Sequence, residues 1–80
     1  LVERILQTSQ HDDWVNSIEF NPQRDRILTG SADKTAKLWN LNGNLISTFN
    51  HDNNVTSVTF APKGDKILTG SWDNTAKFGI

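Results

Sequence analysis

The chain contains no cysteine, so no disulfide can compensate for the poor ratio of buried to exposed surface in 80 residues. A chain this small needs a partner to be stable. The lack of cysteine also suits a reducing compartment, although secreted proteins can lack disulfides too. Neither charge dominates: eight Lys and Arg stand against nine Asp and Glu, for a formal net charge of -1. With no basic stripe and no acidic tail, nucleic acid is a poor partner. No apolar run approaches the roughly 20 residues that cross a bilayer, which argues against a membrane. The amino end has neither the basic start nor the long apolar stretch of a signal peptide. These absences point to a soluble, intracellular chain. Leu1 in place of an initiator methionine suits an excised or trimmed segment.

What the sequence does have is a segment written twice. His11, Asp12, Val15, Ser17, Phe20, Pro22, Asp25, Ile27, Leu28, Thr29, Gly30, Ser31, Asp33, Thr35, Ala36 and Lys37 each recur 40 residues later, from His51-Asp52 to Thr75-Ala76-Lys77. An internal repeat of this period indicates a repeat architecture before any propensity is consulted. The register reaches the ends, where residues 1–10 line up with 41–50. The chain therefore holds two whole periods, cut at the same phase.

Each period divides into four short segments rich in Val, Ile, Thr, Phe and Trp, separated by clusters of Gly, Pro, Asn and Asp. The segments predict strands at about 14–20, 26–31, 35–40 and 44–49, then 54–60, 66–71 and 75–80, with a further strand at 4–8 matching the fourth. Pro22 and Pro62 mark turns, Asp33 and Asp73 mark tighter ones, and Asn42-Gly43 is the preferred type I′ hairpin pair. The doublets Ile5-Leu6, Ile27-Leu28, Leu45-Ile46 and Ile67-Leu68 put apolar residues on both faces of their strands. Sheets covered on both sides fit four-stranded antiparallel blades stacked around an axis, a propeller, better than a two-sheet sandwich.

These residues resemble the WD-repeat β-propeller family, whose repeat has a His near its start, a Pro-containing turn, a Gly-Ser-x-Asp-x-Thr stretch and a Trp-Asp close. Here the pattern reads His11, Pro22, Gly30-Ser31-Ala32-Asp33-Lys34-Thr35 and Trp39-Asn40, then His51, Pro62 and Gly70-Ser71-Trp72-Asp73-Asn74-Thr75. The departures are Gln10 and Asn50 where a Gly precedes the His, Asn40 for the final acid, and Gly79 opposite Trp39. The resemblance implies a buried hydrogen-bonded set: His11, Thr29, Asp33 and Trp39 in the first copy, and His51, Thr69 and Asp73, without the Trp, in the second. It also implies that partners meet the residues after the His and before the turn Asp, namely Asp12, Trp14 and Ala32, then Asp52, Asn54 and Trp72. Trp14 and Trp72 are the positions where the repeat does not itself demand an aromatic, since their counterparts are Asn54 and Ala32. Similarity to bacterial multi-WD-repeat chains over 37–43 suits a cytoplasmic bacterial setting.

Ser31, His11 and Asp33 are the residue types of a hydrolytic triad. Their recurrence at turns in both copies, with no oxyanion-hole loop, makes them structural, so no catalytic residue is assigned. His11 and His51 stand a full period apart without cysteine or a carboxylate cluster, so no metal or cofactor is expected. The fold class is all-β, with two four-stranded antiparallel blades per chain and a ring closed by homo-oligomerisation. Residues 1–10 are an orphan fourth strand completing a neighbour's blade, 11–50 a complete blade, and 51–80 a blade lacking its fourth strand. Two blades per copy require an even ring, four copies with eight blades by preference and three with six next. The expected function is a non-enzymatic, self-assembling scaffold for protein or peptide partners. A purely structural designed, reconstructed or excised fragment is the alternative, and an enzyme using the channel is the third reading.

Overall fold

The computed structural model describes residues 11–79; the predicted strand at 4–8, the Ile5-Leu6 doublet and Ile80 lie outside them. The described elements are strands: β1 (Val15–Phe20), β2 (Arg26–Ser31), β3 (Thr35–Asn40), β4 (Leu45–Asn50), β5 (Val55–Phe60), β6 (Ile67–Ser71) and β7 (Ala76–Gly79). They differ from the predicted segments only by single residues at their ends, and they form two antiparallel sheets ordered β1-β2-β3-β4 and β5-β6-β7. The register repeats with the sequence. Ile18 opposes Thr29 and Phe20 opposes Ile27, as Val58 opposes Thr69 and Phe60 opposes Ile67, and a bulge interrupts both first strands at Val15/Ser17 and Val55/Ser57.

One turn geometry serves every tight connection. In Asn21–Arg24, Ser31–Lys34, Asn40–Gly43, Ala61–Gly64 and Ser71–Asn74, the last N–H donates to the first carbonyl at 2.8–3.3 Å. The last residue has positive φ, between 60° and 86°. This is a type I turn closed by a left-handed residue, not the two-residue type I′ turn predicted for Asn42-Gly43. A type I′ turn needs positive φ at both residues, and only Gly43 has it. The reason lies one strand back. Asn40 Oδ1 accepts the N–H groups of Asn42 and Asn44 at 2.9 and 3.0 Å, which holds the chain in the longer loop.

Apolar doublets bury both faces of the first sheet. Ile27 and Leu28 are adjacent, point opposite ways and are both fully buried. Leu28, Ala36 and Leu38 face Val55, Val58 and Ile67 of the second sheet, with Phe49 and Phe60 packed against them, while Ile27 packs with Trp39 and Leu41. Each fully buried Val, Leu or Ile side chain among them contributes on the order of 1.5–3 kcal/mol. Gly30 permits the close approach: a Cβ there would lie 2.9 Å from Cγ1 of both Val55 and Val58. Hydrogen bonds stitch the sheets at both ends, from Asn16 Nδ2 to the Val55 carbonyl at 3.2 Å and from Gln23 Nε2 to the Lys63 carbonyl at 2.8 Å. The second sheet is covered on one side. Ile67 is buried while its neighbour Leu68 is 42% exposed, so the doublet reading holds for Ile27-Leu28 and only half-holds here. Leu45 and Ile46, on β4, are both exposed.

Candidate functional site

The polar residues converge at one end of each sheet. The segment before β1 and the β2–β3 turn meet there, which sets His11 against Asp33: Nδ1 lies 2.9 Å from Oδ2. An ionised carboxylate only accepts, so Nδ1 carries the proton and donates. In the Nδ1–H tautomer Nε2 accepts from the Thr29 hydroxyl at 2.6 Å, and Trp39 Nε1–H donates to the same hydroxyl oxygen at 3.0 Å. The result is a directed chain from Trp39 through Thr29 and His11 to Asp33. The side chains of His11 and Asp33 are nearly covered, at 1% and 8% exposed.

Asp33 is the end point of four donors. Besides His11, it accepts the N–H of Asp12 at 3.0 Å and both the N–H and hydroxyl of Thr35, at 2.9 and 2.6 Å. Burial works against its charge, but hydrogen bonds from the Thr35 hydroxyl, His11 and the N–H groups of Asp12 and Thr35 outweigh it and lower its pKa from 3.8 to about 2. The second copy repeats the arrangement. His51 bonds Asp73 at 3.0 Å and Thr69 at 2.6 Å, and Asp73 also accepts from the N–H of Asp52 and from the Thr75 hydroxyl. The Asp73 carboxyl is held well below the usual carboxylate range, first by the Thr75 hydroxyl and next by the Asp52 N–H. Gly79 supplies no indole for Thr69. The ring of Phe49 lies there instead, with Cε1 3.0 Å from where a Gly79 Cβ would be.

Sequence reasoning missed four members of these sets. Thr35 and Thr75 clamp the carboxylates, and the hydroxyls of Ser31 and Ser71 accept the N–H of Asp33 and Asp73 at 3.0 and 3.2 Å. Their recurrence in both copies was the available signal. Ser31 is fully buried and its hydroxyl donates toward the Asp13 carbonyl at 3.4 Å, whereas His11 Nε2 is taken by Thr29. That geometry does not activate Ser31 as a nucleophile. Among the described residues no group of three or more His, Asp or Glu is placed to hold a metal ion. Asn21 was also missed; it is buried, and its Oδ1 accepts the N–H groups of Asp25 and Arg26 at 2.9 Å, which closes the opposite end of the first sheet.

The rim residues occupy the same end as the His and Asp turns. The Ala32 N–H bonds the Trp14 carbonyl at 2.8 Å, and the Trp72 N–H bonds the Asn54 carbonyl at 2.9 Å, so equivalent pairs carry the aromatic on opposite members. Both indoles are exposed, Trp14 by 80% and Trp72 by 65%, whereas Trp39 is buried. Asp12, Asp13 and Asp52 are exposed beside them, while Ala32 and Asn54 are half-buried. Asn54 also accepts from Asn16 Nδ2 at 3.4 Å, which ties the two rims together.

Strand order, repeated register and the His–Thr–Asp set together define a repeat unit of a particular class. The WD domain, G-beta repeat, family matches residues 3–40 and 43–78, and the chain belongs to it. Among similar proteins, Lissencephaly-1 homolog 1 of Paramecium tetraurelia is 43% identical over 37 residues, 46% of this chain and 9% of that protein. A WD repeat-containing protein of the cyanobacterium Synechocystis is 40% identical over 45 residues, 56% of this chain and 13% of that protein. Human Coronin-7 is 46% identical over 41 residues, 50% of this chain and 4% of that protein. The matched stretch thus spans between 4% and 13% of these relatives' lengths.

Proposed function

We propose that the chain is a non-enzymatic WD-repeat unit that assembles with copies of itself into a propeller and presents a rim for protein or peptide partners. WD repeats generally mediate protein–protein interaction, which supports the binding half of this reading. The uncovered face of the second sheet carries the assembly half: Leu68 is exposed where its counterpart Leu28 is fully buried. In the proposed ring, residues 11–50 form one blade and 51–80 most of a second, and residues 1–10 of a neighbour add its fourth strand. Four copies would give eight blades, with three copies and six blades as the next closed ring. Native mass spectrometry of the 80-residue chain tests this directly. A mass of four or three copies is expected, and a folded monomer overturns it.

The rim would take a basic or aromatic segment, because two exposed indoles stand among exposed carboxylates. A peptide array graded in Lys, Arg and aromatic content provides the assay. Trp14→Ala or Trp72→Ala should lose the bound peptides while leaving the native mass unchanged. Equal binding by both variants would remove the rim from the reading.

A further inference from the structure

The packing between the two sheets is itself a template, because each sheet carries both halves of it. One half is the face of the first sheet built by Ser17, Leu28, Gly30 and Ala36; the other is Val55, Val58 and Ile67 on the second sheet. One repeat on, the first half recurs as Ser57, Leu68, Gly70 and Ala76, and one repeat back, Val55 and Val58 recur as Val15 and Ile18. These recurrences remain open within the chain. Leu28 and Ala36 are fully buried, but Leu68 is 42% exposed and Ala76 is exposed. Val55 and Val58 are buried, but Val15 is half-buried and Ile18 is 37% exposed.

The glycines show the vacancy at atomic scale. A Cβ on Gly30 would meet Ser17 Oγ, Val55 Cγ1 and Val58 Cγ1, each at 2.9 Å. Among the described residues, a Cβ on Gly70 would meet only the first of these in its repeated form, Ser57 Oγ at 2.8 Å. Among the described residues, the two branched side chains that fill the equivalent space at Gly30 have no counterpart over Gly70. A groove of about 240 Å³ lies there instead, lined by Ser57, Thr59, Leu68, Gly70 and Ala76 among others.

Resting on the self-assembly reading above, we infer that this groove is the docking site for a second copy of the chain, which inserts Val15 and Ile18 over Gly70. The contact is heterologous: the face a copy offers differs from the face it receives, and it repeats the operation that already relates the two sheets. A foreign apolar segment would have no reason to match the 40-residue offset of both halves. The copy's own Val15 and Ile18 match it by construction, and the bulge at Val15/Ser17 that positions them is the same bulge found at Val55/Ser57.

Two variants test the site. Ile18→Asp changes a side chain that the sheet-to-sheet packing within the chain does not use, so strand content by circular dichroism should be retained. Assembly should be lost at concentrations where the parent chain is fully assembled, because a charge would enter the groove unpaired. The second is covalent. The chain lacks cysteine, and a Val Cβ is one bond beyond the Cγ1 atoms that approach Gly30, within reach of a disulfide. Ile18→Cys with Gly70→Cys, in a Ser57→Ala background that relieves the 2.8 Å contact, should give oxidised ladders up to the parent assembly mass. Either cysteine alone should not. If the parent chain is assembled but Ile18→Asp leaves its mass unchanged, or Ile18→Cys alone links as well as the pair, the docking site is wrong and self-assembly stands. A folded parent monomer removes both.

Discussion

Thr29→Val and Thr69→Val form a matched pair of perturbations whose difference measures a single indole. Valine has nearly the shape of threonine and suits a strand equally, so each change deletes a hydroxyl without opening a cavity. At Thr69 the deletion strands one buried partner, His51 Nε2. At Thr29 it strands two, His11 Nε2 and Trp39 Nε1–H. A stranded buried group costs roughly 1–3 kcal/mol, so Thr69→Val should cost about 1–3 and Thr29→Val about 2–6 kcal/mol. The assay is urea unfolding at one fixed protein concentration, since the proposed assembly would add its own mass-action term. Repeating both changes in a Trp39→Phe background closes a double-mutant cycle, and there the two costs should converge. Equal costs in the parent chain, or a gap that survives Trp39→Phe, would refute the directed chain from Trp39 to Asp33.

Three further outcomes follow from the same geometry. Asp33 has its pKa lowered from 3.8 to about 2, so its contribution is fully present above the unfolded value and is lost as pH falls through the folded one. Acid unfolding should therefore steepen between about pH 4 and 2, and Asp33→Asn should flatten that part of the curve. Lys34 has φ of 76°, so Lys34→Gly should raise stability by roughly 0.5–1 kcal/mol in the same urea assay. Gly79→Trp should destabilise by roughly 1–3 kcal/mol, because the ring of Phe49 already fills that space, and adding Phe49→Ala should recover part of the loss.

Strand positions were legible because two aligned copies reinforced each other: a segment ambiguous once is constrained when Val, Ile and Thr recur around the same Pro and Gly punctuation. The His11, Thr29, Asp33 and Trp39 grouping was legible only through resemblance, since nothing in local spacing says that residues 18 and 22 apart will touch. The hairpin at Asn42-Gly43 was misread for a local reason. A dipeptide preference carries no information about the Asn40 side chain that takes the turn's amides. The Phe49 ring over Gly79 was illegible, because it depends on how one sheet lies on another. Alternation gives the face a residue occupies and says nothing about which neighbour arrives there.

The Phe49–Gly79 contact also sorts the two copies. If the repeats were identical, the face that carries Phe49 could accept either repeat, and chains could join out of step or form branched mixtures. A repeat that bears Trp39 would seat beneath that ring only by displacing it, since even a Cβ there would come within 3.0 Å of it. The second repeat has Gly79 in place of that indole, so in the proposed ring the face that carries Phe49 would favour a second repeat over a first, and the order of repeats would be directional.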